Sequence, residues 1–208
     1  MTVTEISQYK GSTMCVVFDD DRRIYVHSKI LNEYHLKEGM NVPEAAVEEM
    51  TEANDFRRAR ERALYLLDVR DYSFMEMYEK LTKNYSEEIS LRVCKSLAEV
   101  RLIDDRRYAE TRARELFEVK RAGVYKARQE LKRRGIPDSI IEDVLEKYAD
   151  EEDSLARLEE LVERKYERYL TDDKGVKRVR NALLRQGYSY SEINSVLDLY
   201  DLDFSDRE

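Results

Sequence analysis

Glycine and proline are nearly absent, with 6 and 2 residues in a chain of 208. Folds built from strands and tight turns use both residues repeatedly, so an all-β architecture is excluded. Histidine is as scarce. His27 and His35 are the only two, and metal-ligand spacings of the His-x3-His kind cannot arise from them. Cysteine is limited to Cys15 and Cys94, 79 positions apart, which predicts two buried thiols in a reducing compartment and no disulfide. No run of 18 apolar residues and no signal-type N-terminus is present. The expectation is a cytoplasmic protein with no membrane partner. The glycine-rich loops that cradle phosphates are missing too, both Gly-x4-Gly-Lys-Ser/Thr and Gly-x-Gly-x-x-Gly. Adjacent acids such as Asp104-Asp105, Asp172-Asp173 and Asp150 through Asp153 fit helix caps better than an acid/base pair. These absences predict no catalytic residues, no metal site and no cofactor. The chain is expected to bind, not to catalyse.

Charge and amphipathic pattern fill the space. Charged residues make up 39% of the chain and hydrophobic ones 42%, the balance of helices with broad solvated faces. The net charge of −8 is unevenly spread: residues 1–55 carry −6, 56–100 carry +1, 101–134 carry +6, 135–174 carry −8 and 175–208 carry −1. An acidic protein thus holds one concentrated basic stretch.

The N-terminus reads differently from the rest. Thr2-Val3-Thr4-Glu5-Ile6, Met14-Cys15-Val16-Val17-Phe18 and Arg23-Ile24-Tyr25-Val26 predict two or three short strands, with Asp19-Asp20-Asp21 as a hairpin turn. A short helix near Lys29–Tyr34 follows, and Pro43 suits the start of another. From Phe56 the period is helical. A helix is expected at about 57–70, a capping box at Ser73-Phe74-Met75-Glu76, a helix start at Ser86, and N-cap carboxylates at Asp104 and Asp105.

The strongest pattern is an internal repeat. Residues 123–148 moved by 52 positions fall on 175–200 with 11 identities in 26, among them Gly123/Gly175, Leu131/Leu183, Gly135/Gly187, Ile141/Ile193, Leu145/Leu197 and Tyr148/Tyr200. Gly135 and Gly187 stand where a helix needs a left-handed exit residue. Pro137 and the box Ser189-Tyr190-Ser191-Glu192 start the helices that follow. Residues 73–99 fit less closely, Leu81 taking the part of Leu131 and Tyr85 that of Ile136, with Asn84 near the glycine position. The fold class expected is mainly α. Three tandem three-helix repeats form an elongated curved rod, with a small β-hairpin-containing extension at the N-terminus. The boundaries are 1–55 for the extension, 56–104 for repeat 1, 105–150 for repeat 2, and 151–208 for repeat 3 with a C-terminal tail.

Candidate binding residues lie in the basic stretch. Arg107, Arg114 and Arg121 recur every seven residues and are expected on one helix face. Arg106 neighbours them, and Lys126, Arg128, Lys132, Arg133 and Arg134 continue on the next helix. Such side chains reach phosphates or the carboxylates of a protein partner, and charge does not choose between them. Of the fifteen tyrosines, Tyr78, Tyr108, Tyr148 and Tyr200 take repeat-core positions, whereas Tyr125, Tyr188 and Tyr190 are open between core and surface.

The order Leu102-Ile103-Asp104-Asp105-Arg106-Arg107-Tyr108-Ala109, then Gly123, then Glu130-Leu131-Lys132-Arg133-Arg134-Gly135-Ile136 resembles the central signature of the RecX family. The threefold repeat and the strand-rich extension are similar to its longer members. The resemblance implies a regulator that docks along the RecA filament on single-stranded DNA and restrains its extension, ATP hydrolysis and strand exchange. The implied partners are the RecA filament and single- or double-stranded DNA, with the protein acting as a monomer. The alternative from residues alone is a general nucleic-acid-binding helical repeat.

Overall fold

The computed structural model describes residues 1–200, so the expected tail beyond them lies outside the described residues. The chain divides into two compact units, residues 1–71 with 77–102, and Tyr72–Glu76 with the residues from Ile103 onward.

The first unit opens with β1 (Val3–Lys10), β2 (Thr13–Phe18) and β3 (Arg23–His27), an antiparallel sheet in the order β1-β2-β3. The aspartate turn joins β2 to β3, and Asp21 takes a left-handed φ of 63° there. Alternation buries Val3, Val16, Phe18 and Val26 against Ile30, Leu31, Val47 and Met50, the last four from α1 (Ser28–Glu33) and α2 (Glu44–Val69). On α2 the buried Asn54 accepts from the His27 N–H at 3.0 Å and donates to the Tyr25 carbonyl at 3.2 Å. One amide therefore satisfies the edge of β3 as a further strand would.

The two helices expected around Pro43 and at 57–70 are one. Pro43 caps α2, and no glycine or proline interrupts the next 26 residues. Strong helix formers carry it through, so the boundary expected at 55/56 falls in mid-helix. α3 (Phe74–Leu81) and α4 (Glu87–Glu99) follow, and α4 packs along α2. Ser73 and Glu76 make the expected capping box at 3.2 and 3.3 Å, and Ser86 caps α4. Leu81 is fully buried, but the exit of α3 has no left-handed residue. Tyr85 N–H returns to the Leu81 carbonyl one position earlier than Ile136 does to Leu131. Cys94 is buried, and burial pushes its thiol up to about 12. Cys15 is only half-buried, because it lies on the outward side of β2.

The second unit holds α5 (Asp105–Arg114), a π-helical turn (Glu115–Val119), α6 (Val124–Arg133), α7 (Asp138–Glu146), α8 (Glu151–Lys165), a 3-10 turn (Glu167–Tyr169), α9 (Asp173–Gln186) and α10 (Tyr190–Leu197). The 52-residue register puts equivalent side chains in equivalent places. Leu131 and Leu183 are both fully buried, as are Ile141 and Ile193, while Ile136 and Tyr188 are 4% and 3% exposed. Each set belongs to its own core, one around Phe117 and one around Leu158. Gly135 and Gly187 have φ of 73° and 94°, the left-handed exits expected of them. Of the open tyrosines, Tyr188 is inside and Tyr125 and Tyr190 are outside, 66% and 63% exposed.

A joint appears twice in this unit. The carbonyl before each exit glycine accepts a bond from the start of an earlier helix, Gln186 from the Gly123 N–H at 2.9 Å and Arg134 from the Ser73 hydroxyl at 2.6 Å. Each glycine then lies against that helix start, Gly187 on Lys126 and Gly135 on Met75, with no room for a Cβ. At the far end, Gly175 lies against the Tyr169 carbonyl.

Candidate partner-binding surface

The paired aspartates of the basic region hold two different helices. Asp104 caps its own α5, accepting from the Arg107 N–H at 2.9 Å. Asp105 turns away and accepts from the Phe74 N–H at 2.7 Å, at the start of α3. Burial raises the Asp105 carboxyl above its ordinary value, and the Phe74 bond opposes that rise. Both carboxylates are therefore committed to structure.

Arg107 and Arg114 share a face of α5, both exposed, as their spacing predicts. Arg121 does not join them. The π-helical turn takes the chain wide so that Leu116 and Phe117 are both buried, and the helix ends at Lys120. Arg121 lies beyond it with φ 49°, ion-paired to Glu160 of α8 at 2.7 Å. That bond, with lesser help from Arg164, holds the Glu160 carboxyl below its ordinary range against slight burial.

The remaining cations meet polar groups of the same unit, acids in every case but one. Arg106 pairs with Asp143, Arg128 with Glu142 at 2.9 Å, and Lys132 with Asp138 at 3.1 Å, all three acids on α7. Arg133 pairs with Glu130 at 2.7 Å, and Lys126 donates to the Gln186 side chain at 2.8 Å. Arg134 pairs with Glu76. The +6 and −8 segments of the sequence thus largely face each other across α6 and α7.

Exposure sorts these residues. The Arg134 and Glu76 side chains are 26% and 15% exposed, and the Glu76 bond raises the Arg134 guanidinium above its ordinary value. With Arg121, Lys126 and the Tyr188 hydroxyl, which donates to the Arg121 carbonyl at 2.9 Å, it belongs to the joints between repeats. Arg106, Lys132 and Arg133 are 52%, 45% and 69% exposed, and ion pairs at such positions exchange partners at little cost. Arg134→Ala removes this ion pair from a Glu76 side chain that is mostly buried, so urea unfolding should register a loss of about 1–3 kcal/mol. Arg133→Ala should stay within about 0.5 kcal/mol. Equal losses would mean that exposure does not sort the two roles.

One basic surface escaped the segment charges. α9 carries Lys174, Lys177, Arg178, Arg180 and Arg185 against Asp173 alone. A segment boundary at 174/175 and the acids near the C-terminus averaged it away. The spacing 174, 177, 178, 185 was the signal that could have found it. Among the described residues, no group of three or more His, Cys, Asp or Glu could hold a metal ion, and no helix is long and apolar enough to cross a membrane.

Two family models match this unit, the second three-helix domain of RecX over residues 104–145 and the third over 151–197. A regulatory protein RecX of Clostridium acetobutylicum is 30% identical over 95% of this chain and 94% of its own. One from Prosthecochloris aestuarii is 32% identical over 70% of this chain and 95% of its own. Among solved structures, a regulatory protein RecX superposes with a TM-score of 0.71 at 23% identity, covering 95% of this chain and 98% of that one. RecX from Lactobacillus salivarius superposes at 0.63 and 26% identity, covering 73% and 99%. With a relative 30% identical across nearly the whole of both chains, this chain belongs to the RecX family of regulatory proteins.

Proposed function

We propose that this protein regulates the RecA recombinase by binding its filament on single-stranded DNA and lowering ATP hydrolysis and strand exchange. The observation that carries the reading is family membership across nearly the whole chain, 30% identity over 95% of it. The structural content is consistent with contact, not chemistry. Both carboxylates of the paired aspartate motif are engaged in caps, and the buried Cys94 thiol, pushed up to about 12, is a poor nucleophile at neutral pH. The protein works in the cytoplasm as a monomer, without a cofactor. Its contact cations on repeat 2 are Arg106, Arg107, Arg114, Arg128, Lys132 and Arg133, and Arg121, Lys126 and Arg134 support them from the joints.

The test adds the full chain to RecA, single-stranded DNA and ATP and follows phosphate release. A saturable fall in turnover is expected, weakened by Arg106→Glu with Lys132→Glu and Arg133→Glu at unchanged helicity. Turnover that is unaffected at saturating protein overturns the reading.

A further inference from the structure

Charge is managed in opposite ways by the two repeats of the second unit. In repeat 2 the cations of α5 and α6 meet the carboxylates of α7. In repeat 3, Arg164 pairs with Glu160 on α8, but the cations of α9 stay apart from the acids. Lys174, Lys177, Arg178, Arg180 and Arg185 form no ion pair with another described residue. On α8 and just after it, Glu159, Glu163 and Glu167 are also without ion pairs among the described residues. After burial, they are what pushes the Tyr200 hydroxyl up. A fold that can neutralise its charges locally, and does so one repeat earlier, leaves this helix positive among the described residues.

The cations have a useful order. Lys174, Lys177, Arg178 and Arg185 are all exposed, and their spacing sets them along one face about 16 Å long. Exposed tyrosines stand at both ends of the helix, Tyr169 before it at 47% and Tyr190 after it at 63%. The Arg168 guanidinium lies 4.8 Å over the Tyr169 ring, and Tyr169 lines one groove with Tyr166, Thr171 and Arg178. Cations alone would suit any polyanion. Aromatic rings open to solvent beside them suit one whose bases are unpaired and can stack.

We propose that the outer face of α9, with Tyr169 and Tyr190, binds single-stranded nucleic acid directly. The four exposed cations hold successive phosphates, and the tyrosines stack on bases at either end. An acidic protein surface would satisfy the cations and leave both rings unused. The biological setting of this site rests on the filament reading, but the site itself is measurable without the recombinase.

The experiment uses the full chain and a fluorescein-labelled oligothymidine of about 20 nucleotides, enough for several stacked bases, with a duplex of equal length beside it. Anisotropy is read across about 50 to 200 mM salt. Binding should weaken with salt. The combined Lys174→Glu, Lys177→Glu, Arg178→Glu and Arg185→Glu variant should lose at least about tenfold in affinity. Its log–log salt slope should shrink by about 3, four contacts at about 0.7 each. The corresponding glutamine variant, which adds no repulsion, should show the same change in slope. Tyr169→Ala with Tyr190→Ala should cost about thirtyfold or more on the single strand and nothing on the duplex. Absence of oligonucleotide binding, an unchanged slope in both charge variants, or tyrosine variants that bind the single strand as before would each overturn the proposal. If recombinase turnover falls but oligonucleotide binding ignores α9, this inference fails and the regulatory reading stands. If binding depends on α9 while turnover is unaffected, the regulatory reading fails instead.

Discussion

Leu131→Ala and Leu183→Ala are each expected to destabilise the protein by about 2–5 kcal/mol. Both leucines are fully buried at equivalent places, Leu131 in the core around Phe117 and Leu183 in the core around Leu158. Each truncation removes three carbons from a packed interior and leaves a cavity that flanking helices close only partly. The two effects should be similar in size, because the 52-residue register places the same side chain in the same role twice. Urea unfolding of each single variant measures this. A cost near zero at either position would dissolve the equivalence of repeats 2 and 3, and a large cost at only one would mean that the register matches sequence but not packing.

Gly187→Ala should be as damaging, for a different reason. Its φ of 94° costs an L-residue about 1–2 kcal/mol. The added Cβ would also come within 2.4 Å of the Lys126 backbone nitrogen. Overpacking of this kind adds about 1–3 kcal/mol, and backbone cannot yield as a side-chain tip can. Gly123→Ala isolates the second part. Its backbone is ordinary, with φ −77°, but a Cβ would meet the Gly187 carbonyl oxygen at 2.2 Å. Gly11→Ala isolates the first, since φ is 56° and nothing lies within 4 Å. Gly187→Ala should therefore cost about the sum of the other two. Thermal or urea unfolding of the three variants decides it. A harmless Gly123→Ala would mean the joint between repeats is loose.

The helix caps, the exit glycines and the buried leucines were legible because each is a local rule. Ser73 and Ser189 satisfy amides three residues away, and Gly135 and Gly187 answer a backbone need of their own helix. What was not legible depended on distant chain. Nothing near Arg121 announces a π-helical turn, and nothing near Arg128 or Lys132 says that α7 will bring Glu142 and Asp138 alongside. Asp105 was expected to cap a helix and does so, but its amide belongs to Phe74, 31 positions earlier. The continuity of α2 was missed for the opposite reason. Phe56 and Ala59 begin a new hydrophobic pattern, yet a change of pattern breaks no helix unless a residue there refuses helical geometry.

This division has a functional consequence. The residues on which the resemblance to the RecX family rests include several that hold repeats together in this chain, namely Asp104, Asp105, Gly123, Leu131 and Gly135. In the proposed function, recognition is assigned to exposed side chains between them, such as Arg106, Lys132 and Arg133.

Sedimentation of the full chain with preassembled RecA filaments on single-stranded DNA tests the central claim most directly. The protein should pellet with filaments in a saturable manner and remain in solution with unassembled RecA. Protein that stays in the supernatant at every filament concentration would contradict the account.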